Sequence, residues 1–153
     1  MSSELDQDHH LLRKENGFRN YFEEHALTGK IIIQHICDTR SDTIENYLLN
    51  ELNNQSNIGA IFVTNSRVNI IANILKKADR KKVLVIGYDF LQENIKGLTN
   101  GDIDILICQR PTEQGYLGIN ALYKHLFKIG EANGNTYMPI DIITKENYRF
   151  YNV

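Results

Sequence analysis

The run Val83-Leu84-Val85-Ile86, closing on Gly87-Tyr88-Asp89, constrains this chain more than any other stretch. Four consecutive branched or aliphatic residues without polar alternation predict a strand buried on both faces, and such strands belong to parallel sheets covered by helices. The run stops at Gly87, and the first side chain beyond Tyr88 is a carboxylate. In an open parallel sheet, ligands sit in the crevice beyond the carboxyl ends of the strands. Asp89 is therefore the first candidate for a functional residue.

The remaining periodicities fit the same architecture. Leu11, Leu12, Phe18, Tyr21 and Phe22 recur at near-helical spacing and predict an amphipathic helix from His9 to about Ala26. Strands are expected over residues 30–37, 58–63, 103–108 and, more briefly, 139–144. Helices are expected from Ser41, with Ile44, Tyr47, Leu48 and Leu52 inward, over residues 68–78, and around 91–98. A further helix begins at Pro111, a residue suited to the first helical position, and runs to about Ile129. Strands alternating with helices of this length predict an α/β fold, an open parallel sheet with helices on both faces and right-handed crossovers. With no internal repeat or linker, one compact unit over residues 9–153 is expected, preceded by a disordered Ser-, Asp- and Gln-bearing stretch over residues 1–8.

Bulk properties narrow the classes of function. A chain of 153 residues with 42% hydrophobic and 24% charged residues can bury a real core. A net charge of -2 offers no global attraction to nucleic acid or anionic lipid. Residues 1–14 lack the basic and apolar regions of a signal peptide, and no apolar run approaches the roughly 20 residues that span a bilayer. Cys37 and Cys108 each end an apolar run and read as reduced thiols of a cytoplasmic protein. The basic cluster Lys76, Lys77, Arg80, Lys81 and Lys82 falls at a helix C-terminus, where it complements the dipole.

Four expected strands end in polar side chains: Asp38 and Thr39, then Thr64 and Asn65, then Asp89, then Gln109 and Arg110. Loops must satisfy their backbone groups, so any one such residue is unremarkable. Four together at one sheet edge suit a ligand rich in hydroxyls, because carboxylate, amide and guanidinium groups make paired hydrogen bonds to adjacent OH groups. No dinucleotide or phosphate-binding glycine motif, nucleophile elbow or metal-ligand spacing is present, so neither a cofactor nor a metal is expected. A small α/β enzyme using Asp38 or Asp89 as a base is the disfavoured alternative.

The order of the motifs resembles the sugar-sensing domain of LacI/GalR-type repressors and ribose-binding-type periplasmic proteins. Arg13 to Phe18 resembles the family's R-x-x-G-F helix start, and Gly59 to Ser66 its G-I-F-x-x-N-D segment. Val83 to Asp89 resembles V-x-V-V-G-Y-D, Leu98 to Ile103 and Cys108 to Gly115 resemble L-x-x-G-x-I and Q-x-P-x-x-x-G, and Pro139 to Asn147 resembles P-x-x-I-x-T-K-E-N. This resemblance implies a periplasmic-binding-protein type I-like subdomain of a non-catalytic transcriptional regulator. The ligand would be a sugar or polyol effector, held by Asn65, Asp89 and Gln109. The family arginine falls at Lys14, with Arg13 one residue earlier, and the N-D pair reads Asn65-Ser66. The chain would correspond to the second subdomain and final crossover segment, without the first subdomain or the headpiece through which the parent meets DNA. A transport receptor is the other implied class. The helix after Pro111 carries Tyr116, Ile119, Leu122, Tyr123, Leu126 and Phe127 on one stripe, which must fold back on its own sheet or pair in a homodimer; the dimer is the expectation.

Overall fold

In the computed structural model the described residues are 9–27, 31, 40–55, 57–80, 82–130 and 134–151. Apart from residue 31, the expected strand over residues 30–37 lies outside them, as do the strand end at Asp38 and Thr39, Cys37 and the N-terminal stretch 1–8. Helix α1 (His9–Glu24) is followed by α2 (Ser41–Asn54), β1 (Ala60–Phe62), α3 (Val68–Lys77), β2 (Leu84–Tyr88), α4 (Gln92–Asn100), β3 (Ile105–Cys108), α5 (Pro111–Phe127) and β4 (Asp141–Ile143). A short 3-10 turn, Tyr148–Phe150, closes the described chain.

The sheet order is β1-β2-β3-β4. β1, β2 and β3 run parallel, with Phe62 opposite Ile86 and Ile86 opposite Ile105, so their carboxyl ends share one edge. β4 departs from the expected all-parallel sheet: it pairs antiparallel with β3, Leu106 opposite Ile143 and Cys108 opposite Asp141. A parallel return needs a crossover laid across the sheet face. Helix α5 buries no residue and makes no such crossover, so the chain comes back at the carboxyl edge of β3 and reverses.

Side chains alternate across each strand, and the two faces differ. Val85, Leu106, Cys108 and Ile143 fall on the face that meets Ile44, Leu48 and Leu52 of α2, Val68, Ala72, Ile74 and Leu75 of α3, and Leu98 of α4. Gly87 is on this face too: a Cβ there would stand 2.3 Å from the Cβ of Val68, so the start of α3 rests directly on β2. α4 ends at Gly101, whose φ of 79 permits the left-handed cap and whose N–H bonds the Leu98 carbonyl. The opposite face carries Phe62, Ile86 and Tyr88, with α1 over it: Phe18 stacks on Phe62 with centroids 5.1 Å apart. Ile142 and Leu84 on that face remain exposed.

The expected stripe of α2 is buried at Ile44, Leu48 and Leu52, while Tyr47 is half-buried and donates to Glu51 at 3.3 Å. Ser41 is the first helical residue; the cap position is Arg40, and no side chain caps the helix. Helix α5 does not fold back on its own sheet. Tyr116, Ile119, Leu122, Tyr123, Leu126 and Phe127 are all exposed.

Candidate functional site

The carboxyl edge of β1–β3 brings together four of the five residues singled out in the sequence. Asn65 follows β1 and its Oδ1 accepts from the Arg67 N–H at 3.0 Å, a local turn that starts α3. That bond occupies the acceptor half of the amide and leaves the donor half for another partner. Gln109 follows β3 and is half-buried, with its backbone carbonyl taking the side-chain N–H of Gln114.

Asp89 follows β2 with a φ of 72, a left-handed conformation that a non-glycine residue adopts only when its surroundings hold it there. Its N–H still donates to Ile107 O at 3.1 Å, so the residue turns out of the sheet while anchored in the ladder. Its half-buried carboxylate accepts no hydrogen bond and joins no ion pair among the described residues. Its charge is nonetheless felt by its neighbours. Burial raises the Tyr88 phenol first, and the Asp89 carboxylate adds to it. The Cys108 thiol is pushed up to about 11 by burial, then by Asp89 and Asp141, against an opposing hydrogen bond from Tyr151. Cys108 is thus a neutral, buried thiol, not a nucleophile.

Lys14 reaches the same edge from α1. Its Nζ donates to Thr64 O at 3.0 Å and stands 3.7 Å from the centroid of the Tyr88 ring, a cation–π contact. Arg13 is exposed, and consecutive helix residues do not face the same way. Of the two cations that the sequence offered, Lys14 is the one the structure brings to the strand ends.

Arg110, the remaining polar strand-end residue, has a structural task. In a left-handed conformation at φ 52, its Nε and Nη2 donate to both oxygens of Asp141 at 2.7 and 3.1 Å, and its Nη1 donates to Glu113 at 3.3 Å. This fork staples the end of β3 to the start of β4 and holds the Asp141 carboxyl below its ordinary range.

Asn94, which the sequence reading passed over, is a fully buried polar side chain in α4. Its Nδ2 donates to Ser66 O at 3.0 Å, Tyr88 O at 3.1 Å and Asp89 O at 3.0 Å. A signal was present: Asn94 stands four residues before Leu98 and so on its buried face.

At the opposite sheet edge, a hollow of about 430 Å³ is lined by Lys76, Arg80, Lys82, Asp102 and Asp104. Lys76 pairs with Asp102 at 2.7 Å and Lys77 with Glu45 at 3.6 Å, so part of the basic cluster is neutralised by acids. Among the described residues, no group of three or more His, Cys, Asp or Glu side chains could hold a metal ion, and no helix is long and apolar enough to cross a membrane.

Comparison with known proteins gives consistent matches. The family model described as periplasmic binding protein domain matches residues 1–131. The ribose import binding protein of Haemophilus influenzae is 32% identical over 103 residues, covering 67% of this chain and 35% of the relative. A protein from Bacteroides fragilis described as a LacI transcriptional regulator superposes with a TM-score of 0.79 at 32% identity, over 90% of this chain and 47% of that one. A periplasmic solute binding protein of an ABC transporter from Actinobacillus succinogenes, solved with bound D-allose, superposes with a TM-score of 0.66 at 25% identity, over 73% and 40%. The chain therefore spans about a third to a half of the length of these relatives.

Proposed function

The chain belongs to the periplasmic binding protein domain family, a family of binding proteins and regulators rather than enzymes, and from that premise we propose that its β1–β3 edge is one wall of a cleft for a sugar or polyol. The observation that carries the reading is Asp89. A half-buried carboxylate held in a left-handed turn, with no hydrogen-bond or ion-pair partner among the described residues, is positioned for hydrogen-bond donors from outside. One carboxylate accepting from two adjacent hydroxyls makes charge-assisted bonds, the strong kind. On either side, Asn65 supplies amide donors, its Oδ1 being engaged by the Arg67 N–H, and Gln109 supplies an amide able to donate and accept; Lys14 adds a cation at the rim. Ribose and allose, the sugars named for two relatives, present such vicinal hydroxyls.

In the parent protein, this unit is the second subdomain and closing segment of an effector-sensing domain of LacI type, and closure on the ligand shifts the population between DNA-binding and released forms. The similarity to the Bacteroides fragilis regulator over 90% of this chain supports that placement. It implies a cytoplasmic protein that meets DNA only through a separate headpiece. The alternative, a receptor delivering sugar to a permease, is supported by the Haemophilus influenzae relative. In the parent, α5 crosses the hinge and packs on the first subdomain; in this chain by itself, the exposed stripe is buried, in this reading, against a second copy of the chain in a two-fold dimer.

The test is titration of the parent protein with D-ribose and D-allose by calorimetry, before and after Asp89→Ala. Loss of two charge-assisted bonds is expected to weaken binding by roughly 3 kcal/mol or more, a hundredfold at least. Unchanged affinity would remove Asp89 from the site. This chain alone, with one wall of the cleft, is expected to bind sugar weakly or not at all, because the open side leaves sugar hydroxyls in competition with water.

A further inference from the structure

We propose that Asn94 is the positioning residue that sets Asp89 in its ligand-facing conformation and locks the turn after β1 to the turn after β2; its value for binding rests on the sugar-site reading above. Asp89 is fixed on both sides of its backbone torsions. Its N–H is tied to Ile107 O at 3.1 Å, and its C=O is tied to Asn94 Nδ2 at 3.0 Å. Between those two anchors the chain passes through φ 72. The same Nδ2 holds Ser66 O at 3.0 Å, the residue after Asn65, and Tyr88 O at 3.1 Å. One buried amide thus couples the segment bearing Asn65 to the segment bearing Asp89.

The chemistry of the amide explains why asparagine stands there. Two protons serve three carbonyl oxygens, so one proton is shared. Asn94 Oδ1 is buried with no hydrogen-bond partner among the described residues, where the side chain is oriented by its donor end. A leucine of similar size would leave three carbonyl oxygens without that donor. An aspartate would set a carboxylate against them. Neither could hold Asp89 in a conformation that its own backbone disfavours.

A role confined to core packing would look different, and the difference can be measured. In Asn94→Leu, residual dipolar couplings and backbone chemical shifts of Asp89 should report departure from the left-handed conformation in the folded protein, without any ligand. Leu98→Ala on the same helix, a matched loss of stability, should leave those signals in place. In the parent, the D-ribose affinity of Asn94→Leu should fall about tenfold if the competent Asp89 conformer drops to about a tenth of the population, while that of Leu98→Ala should not change. Asn94→Ser, which keeps one donor, should lie between wild type and Asn94→Leu in the same couplings, and it replaces Asn94→Leu if that variant does not fold. Asp89 couplings that stay at their wild-type values in a folded Asn94 variant overturn the proposal. If D-ribose perturbs neither wild type nor variant, the sugar-site reading fails, and the ligand-free couplings still decide whether Asn94 positions Asp89.

Discussion

Helix α3 is ten residues long and buries Val68, Ala72, Ile74 and Leu75, whereas α5 runs seventeen residues and buries none. Both carry enough apolar residues at helical spacing to demand a partner. The difference lies in what each helix connects. α3 joins two adjacent parallel strands, and such a crossover must lie across the sheet, where Gly87 lets it touch the β2 backbone. α5 leaves the last parallel strand and leads to a strand that runs the other way, so nothing obliges it to lie on the sheet. An apolar stripe says that a face seeks burial; the connectivity says against what.

The sharpest way to break that contrast is to substitute on each side of it. Gly87→Ala would press a methyl group into Val68, at a point where neither β2 nor α3 can retreat without opening the core. A cost of about 1–3 kcal/mol, or more, is expected. Leu98→Ala, at a fully buried site, should cost roughly 2–5 kcal/mol. Leu122→Ala in α5, where the side chain is 54% exposed, should change the stability of the monomer by no more than about 0.5 kcal/mol. Urea unfolding of the three variants at low protein concentration measures all of this. A Leu122→Ala cost as large as that of Leu98→Ala would mean that α5 packs on its own sheet after all.

The second prediction sharpens the contrast from the other side. Leu122 and Leu126 stand one turn apart on the exposed stripe, and in the proposed dimer each gains burial worth roughly 1.5–3 kcal/mol. The wild-type chain should therefore scatter light as a dimer at micromolar concentration, and Leu122→Asp/Leu126→Asp as a monomer with an unchanged unfolding midpoint at high dilution. A monodisperse wild-type monomer would leave the stripe for a different occupant.

The same contrast explains what the sequence could and could not convey. Burial on the sheet was legible wherever the periodicity and the connection agreed: Leu48 and Leu52 in α2, Ile74 and Leu75 in α3, and Val85 in β2 all point inward. Leu84, expected to be buried in a strand covered on both faces, instead stays exposed on the face that α1 covers only in part. The residues at the candidate edge were legible for the same reason, since parallel strands must end on one side. The reversal of β4 was not, because a three-residue strand carries no mark of its direction; its partner and the path of α5 decide it. Asn94 was hidden by its polarity. Its place on the buried face was readable, but its three acceptors come from two different turns, and only the folded chain brings those together.

The smallest expected effect lies at the join between the two regions, where the Arg110 fork holds Asp141 and so fixes the start of β4 beside the root of α5. Both partners are partly in water, which screens the pair, so its share of global stability is small. Its local effect is directional. The hydrogen bond from Arg110 comes first among the causes that hold the Asp141 carboxyl below its ordinary value of 3.8, and burial opposes it. A carboxyl whose folded value is depressed binds its proton more weakly folded than unfolded. Its contribution is therefore complete above the ordinary aspartate range and is lost as the pH falls through the folded value. β4 should accordingly stay paired at neutral pH and loosen on acidification, with amide exchange at Ile142 and Ile143 rising before the β1–β2 ladder responds. In Arg110→Ala the Asp141 side-chain carbon should titrate near the ordinary aspartate value, and β4 should exchange faster already at neutral pH. If the Asp141 titration does not move in that variant, the fork is not what ties the antiparallel strand to the sheet.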